Sequence, residues 1–130
     1  PQREKTRAFI NRLKTFHRTI TDRNFDIYEL NSAAVEFCRR QYASEKQIYR
    51  VQLVLEEMLL NIILPQLEDG KIAVDVTVEY SVKDSRLAVF ISSAEPFTLR
   101  ESGEDDLSMF MLRAVCTDIA EEQNGVRLYL

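Results

Sequence analysis

The chain has 130 residues, 45% of them hydrophobic, which is enough for one globular domain with one core. Its formal net charge of −4 provides no overall basic surface for a nucleic-acid backbone, and no apolar run is long enough to span a bilayer. No secretory signal is visible in these residues, and with one histidine and two cysteines a disulfide framework, a zinc site and a Ser/His/Asp triad are all unsupported.

Residues 2–20 read as an amphipathic helix, within an N-terminal unit of residues 1–24. Phe9, Leu13, Phe16 and Ile20 mark one side, and Arg3, Lys5, Arg7, Arg12, Lys14 and Arg18 the other. The plainest reading of the basic side is a solvated face; an acidic partner or lipid headgroups are the alternatives. The chain begins at Pro1 rather than Met, which suggests a piece of a longer protein. Residues 21–24 break the pattern, and residues 25–28 fit a short strand or a connector. Asn31 and Ser32 offer N-cap chemistry for a helix to about Tyr42, with Ala34, Phe37, Cys38 and, at its end, Tyr42 inward. Cys38 and Cys116 both fall in helical patterns, which suits reduced, buried thiols and a cytoplasmic location.

Ser44 and Gln47 have capping-box spacing and open the most apolar stretch, residues 51–64. Apolar residues at 51, 54, 55, 58, 59, 62 and 63 share one helix face. Glu57 and Asn61 stack on a flank beside Leu53, Leu60 and Leu64. Burying the Asn61 amide without a partner costs roughly 2–7 kcal/mol, and an ionised Glu57 costs more. The two therefore look into a cleft or belong to a polar network. Pro65 should end or kink the helix.

A turn at residues 68–70 leads to a strand over 72–82, where Ile72, Val74, Val76, Val78, Tyr80 and Val82 alternate with mostly polar neighbours. A hairpin at 83–85 precedes a second strand over 87–92, apolar on both faces and so central in a sheet. Residues 92–104 form an irregular loop. Asp105 or Asp106 caps a last helix over 106–121, with Leu107, Phe110, Met111, Ala114, Val115 and Ile119 on its apolar face and Met109 turned outward. Asn124 and Gly125 signal a tight turn into a strand over 126–130. The expected fold is α+β: a two-layer sandwich with a mixed or antiparallel sheet covered by helices on one face.

The element order and the Glu57-x-x-x-Asn61 helix resemble the histidine-kinase-like (GHKL) ATPase fold of gyrase, heat-shock chaperone ATPases and sensor kinases. Within that fold, the small anti-sigma-factor serine kinases are the most similar group. Three stretches carry the likeness. Residues 53–61 look like the helix that holds magnesium and a base. Residues 87–97 look like the strand and loop that carry Asp-x-Gly before Pro-Phe. Residues 107–130 look like the glycine-rich segment, helix and final strand. The resembling domain is residues 25–130.

The resemblance implies ATP and magnesium as cofactors, Glu57 as general base and Asn61 as magnesium ligand. It also marks departures. Ser92 and Ala94 stand where the family has an adenine-binding aspartate and a glycine. Asp106 and Ser108 stand where it has glycines that crowd the phosphates. Nucleotide binding is therefore expected to be weak or lost. Lys83, Arg86, Arg100 and Arg113 read as solvated charges rather than phosphate clamps. The leading expectation is a regulatory domain that acts through a protein partner, sigma-factor-like or resembling an antagonist of anti-sigma factors. Phe97, Met109 and Asp105 are its candidate contacts. An active ATP-dependent serine kinase, a homodimer, and a structural module of a larger transporter or sensor stay open as alternatives.

Overall fold

A computed structural model describes residues 13–99 and 106–130. In chain order they form β1 (Leu13–Ile20), α1 (Ile27–Arg40), α2 (Glu45–Glu56), β2 (Val74–Ser81), β3 (Arg86–Ser93), α3 (Leu107–Val115), β4 (Asp118–Glu122) and β5 (Gly125–Tyr129). A π-helical segment, Glu57–Ile63, continues α2 and closes in a 3-10 turn, Leu64–Gln66. The strands form one antiparallel sheet in the order β1-β2-β3-β5-β4. The fold is thus the expected two-layer α+β sandwich, and β3 is its central strand.

The first correction concerns the N-terminal helix. Residues 13–20 are a strand, paired with β2 from Leu13 opposite Ser81 to Ile20 opposite Val74. Phe16 and Ile20 are four apart, a spacing shared by one helix face and one strand face. The β-branched Thr15, Thr19 and Ile20 favour the strand, and β2 supplies its pairing partner. Arg18 also faces the helix layer. Its guanidinium lies 5.3 Å from the Phe16 ring centre and 2.6 Å from Glu29. Residues 2–12 of the predicted helix lie outside the described residues.

The helix layer begins earlier than Asn31 and Ser32. Asp26 caps α1, accepting from the backbone N–H groups of Tyr28 and Glu29. Asn31 is buried inside the helix, and its amide donates to Glu56 at 3.2 Å. The Ser44–Gln47 capping box forms with bonds of 3.0 and 3.1 Å. The Gln47 amide also donates to the Ser85 carbonyl at 3.0 Å, which pins the start of α2 to the β2–β3 hairpin.

Val51, Val54, Leu55, Met58, Leu59, Ile62 and Ile63 are all buried, as the one-face spacing requires. The Leu64 N–H donates to the Leu59 carbonyl, five residues back. Pro65 falls in the closing 3-10 turn. Arg23 then binds carbonyls at the helix end, adding to the bond that the Leu64 carbonyl already accepts from the Leu67 N–H. It donates to Leu64 at 2.6 Å, to Leu67, and to the Asp69 carboxylate at 2.8 Å.

Inward residues of the sheet are Val74, Val76, Val78 and Tyr80 on β2, Leu87, Val89 and Ile91 on β3, and Val126 and Leu128 on β5. On the other face Arg127 donates to Glu79 at 2.6 Å, lies 3.6 Å from Glu122, and sits 4.8 Å from the Phe90 ring centre. Burial works against its charge, but Glu79 and then Glu122 outweigh that and raise its pKa.

The last helix is also shorter than predicted. It ends at Val115, and residues 118–122 form β4 against β5. Asn124, at φ 58°, makes the hairpin turn. Ala120, Glu121 and Glu122 do not favour strand locally, and the open edge of β5 overrides that preference. Ile119 therefore belongs to the sheet, opposite Leu128. Among the described residues, no helix is long and apolar enough to cross a membrane.

Candidate functional site

Antiparallel pairing gives the molecule two poles. At one, the ends of β1, β3 and β4 and the starts of β2 and β5 share an end of the sheet with the π segment and the start of α3. At the other lie the β2–β3 hairpin, the end of α1 and the start of α2. The three stretches that carry the family likeness converge on the first pole.

Glu57 opens the π segment and is half-buried. Its Oε2 accepts the Asn61 amide at 2.5 Å and the Ser108 hydroxyl at 2.9 Å. Ser108 is in the first turn of α3, so this bond fastens that helix to the π segment. The polar pair on the apolar helix is thus part of a network. The Asn61 nitrogen faces Glu57, which leaves its Oδ1 as the atom able to meet a cation. π-turns often occur at functional positions, because the extra residue re-aims side chains. Among the described residues, no group of three or more His, Cys, Asp or Glu side chains is placed to hold a metal.

Asp106 caps α3 and accepts from the Met109 N–H at 3.1 Å. A helix N-terminus otherwise offers its free N–H groups to an anion. Here a carboxylate already takes one of them and brings its own negative charge to that place.

At the end of β3 the register turns two neighbouring serines to opposite faces. Ser92 pairs with Asp75 and Gly125 and lies on the outer face. Ser93 pairs with Val74, faces the helix layer and is buried. Its hydroxyl has no hydrogen-bond partner among the described residues. Counting alternate residues from Leu87 through Val89 and Ile91 leads to Ser93, a signal already present in the sequence. Ala94 is exposed, and its N–H donates to the Ala73 carbonyl at 3.0 Å.

The predicted partner contacts divide. Phe97 is half-buried against the core. Gln66 holds the segment around it, donating to the Thr98 carbonyl at 2.8 Å and accepting from the Thr98 N–H at 3.0 Å. Met109 is 2% exposed, so it is a core residue and not an outward contact. Asp105, with Arg100, Glu101, Gly103 and Glu104, lies outside the described residues. The inward side of α3 is Met109 and Leu112, whereas Leu107 and Phe110 are 66% and 67% exposed. Of the predicted apolar face, Leu107, Phe110 and Ala114 therefore turn outward, whereas Val115 packs against the core. Nearly every residue of α3 is apolar, so periodicity alone cannot say which side is buried. That same excess is the signal for an exposed stripe: Leu107, Phe110 and Ala114 follow helical spacing and all face out.

Cys38 is buried and Cys116 half-buried, and both are free. Burial pushes each thiol up to about 11; nearby Arg50 lowers Cys116 only in part. Neither is a thiolate nucleophile at neutral pH.

No protein-family model matches the chain, and no curated protein matches it either.

Proposed function

We propose that this domain is a degenerate histidine-kinase-like ATPase domain of the anti-sigma type, and that it works by holding a protein partner at the pole formed by the π segment and α3. One observation carries the reading. Ser108 fastens α3 onto Glu57, while Leu107, Phe110 and Ala114 stay outside. Glu57, Asn61 and Ser108 are bonded to one another, and the apolar groups beside them are exposed among the described residues.

Weak nucleotide binding is part of the same reading. A neutral serine at the end of β3 forgoes a hydrogen bond to a charged acceptor, worth roughly 1.5–3 kcal/mol. Asp106 at the start of α3 repels a phosphate where glycine would admit one. An exposed apolar stripe with an acidic cap suits a protein interface of moderate affinity. The partner would be sigma-factor-like or resemble an antagonist of anti-sigma factors. The retained Glu57 and Asn61 favour the kinase alternative. Their mutual bond gives them a second explanation.

Capture from the native cell extract, comparing wild type with a Leu107→Asp/Phe110→Asp variant, tests the interface. Both side chains are mostly exposed, so the variant should fold. The expected result is a defined partner retained by wild type and weakened about tenfold or more in the variant, since losing a buried anchor costs about 2 kcal/mol. Equal capture by both proteins contradicts the site. Self-association of the wild type, lost in the variant, identifies the partner as a second copy.

A further inference from the structure

The sheet has two outer edges. β1 and β4 end the strand order, and among the described residues no further strand pairs with either. An open edge presents unpaired backbone N–H and C=O groups and recruits other strands unless something blocks it. β1 has eight residues, no proline, and an unbroken ladder with β2, so neither a bulge nor a missing donor blocks it.

The two edges differ in charge. β1 carries Lys14 and Arg18, with His17 between them, and no acid. β4 carries Asp118, Glu121 and Glu122, and no cation. Neighbouring groups moderate this difference without cancelling it. Arg18 bonds Glu29 at 2.6 Å, and His17 lies 3.2 Å from Asp75. Glu122 is 3.6 Å from Arg127, which is itself bonded to Glu79. Lys14, Asp118 and Glu121 form no ion pair among the described residues.

Like edges fit poorly. Two β4 strands paired antiparallel about Ala120 set Asp118 opposite Glu122, and two β1 strands paired about Phe16 set Lys14 opposite Arg18. Unlike edges fit well. Neighbouring strands alternate in direction throughout, so β1 and β4, first and fifth in order, run the same way. A second copy set alongside, with its helix layer on the same side, therefore lays its β1 parallel to β4. Phe16 and Arg18 on β1, and Ile119 and Glu121 on β4, are on the helix-layer face of the sheet. One register places Ile119 beside Phe16 of the second copy and Glu121 beside its Arg18, and it engages all five residues of β4. A slip of two residues sets Ile119 beside a cation and Glu121 beside an apolar side chain. Phe16 and Ile119 are each half-buried against their own core, which leaves part of each side chain for this contact.

We infer that this chain self-associates head to tail, the basic edge β1 of one copy taking the acidic edge β4 of the next. The contact joins unlike surfaces, so every added copy leaves one edge of each kind free. The assembly is open-ended unless the sheet twist closes it into a ring. The inference does not rest on the partner reading, which concerns the exposed side of α3.

Sedimentation velocity of the purified chain tests it, at rising concentration up to about 1 mM because an edge contact is small. Wild type should grow past a dimer as concentration rises, and should return toward monomer as salt rises. Glu121→Arg changes an exposed residue, should fold, and should weaken association about tenfold, because an attractive pair becomes a repulsive one. Arg18→Glu should act alike, with circular dichroism checking that loss of the Glu29 bond leaves it folded; Glu121→Arg decides alone if it does not. An equimolar mixture of the two variants should recover wild-type association, because each then meets the opposite charge at the altered position. Leu107→Asp/Phe110→Asp should associate as wild type does, which separates this contact from the α3 surface. A strict monomer at every concentration overturns the inference. So does wild-type association by Glu121→Arg, or a mixture of two folded variants that does not recover.

Discussion

Leu112→Ala is expected to lower folding stability by about 3 kcal/mol, within the 2–5 kcal/mol span of buried leucine truncations. α3 is a nine-residue helix, too short to be stable by itself. Among its described residues only Met109 and Leu112 are buried, at 2% and 0% exposure, so Leu112 is about half of its apolar anchorage. Its truncation leaves a cavity under the helix and loosens the Ser108–Glu57 contact. Urea denaturation reads the stability. Ser108→Ala, which removes one hydrogen bond, should cost only about 1 kcal/mol by the same measurement. Equal effects from the two variants would mean that the polar contact, not the apolar one, holds the helix.

Gly125→Ala should be the larger surprise for so small a change, with an expected loss of about 1–3 kcal/mol. Gly125 begins β5 and is buried against the central strand. A β-carbon there would stand 3.0 Å from the Ile91 carbonyl oxygen and 3.3 Å from both the Phe90 ring and Ser92 Cβ. Two of these neighbours, the Ile91 oxygen and Ser92 Cβ, belong to or adjoin the backbone and cannot swing aside. β3 and β5 must therefore separate by a few tenths of an ångström, or the ladder must slip. Amide hydrogen exchange should show faster exchange in β4 and β5 than in β1 and β2. Uniform loss of protection would instead indicate global destabilisation with no local strain.

The parts of the fold legible in the sequence have one strong period and clear punctuation. The strand before the hairpin alternates without ambiguity. The central helix combines a capping box with a full apolar face, so both its start and its buried side follow from residue types. β1 was hidden because Phe16 and Ile20 satisfy two periods at once, and its ladder partner is the distant β2, with Thr77 opposite His17. β4 was hidden because its residues are ordinary helix formers, and only the open edge of β5 makes them a strand. The face of α3 was unreadable because the helix is apolar all round.

At the candidate site, the Glu57–Asn61 pairing was legible from a four-residue spacing. The Ser108 contact was not, because it joins side chains 51 positions apart. At the end of β3, strand alternation from Leu87 turns Ser93, not Ser92, toward the helix layer.

Whether the pole around Glu57 is a nucleotide site or a tied-off polar cluster decides the account. Calorimetric titration of the purified chain with ATP and magnesium, repeated on Asn61→Ala, measures this. The expected result is no saturation at micromolar ATP for either protein, because Asp106 occupies the start of α3 and β3 itself ends in the neutral Ser92 and Ser93. Saturation of the wild type in the low micromolar range, abolished by Asn61→Ala, would contradict it and return Glu57 and Asn61 to the roles of base and magnesium ligand.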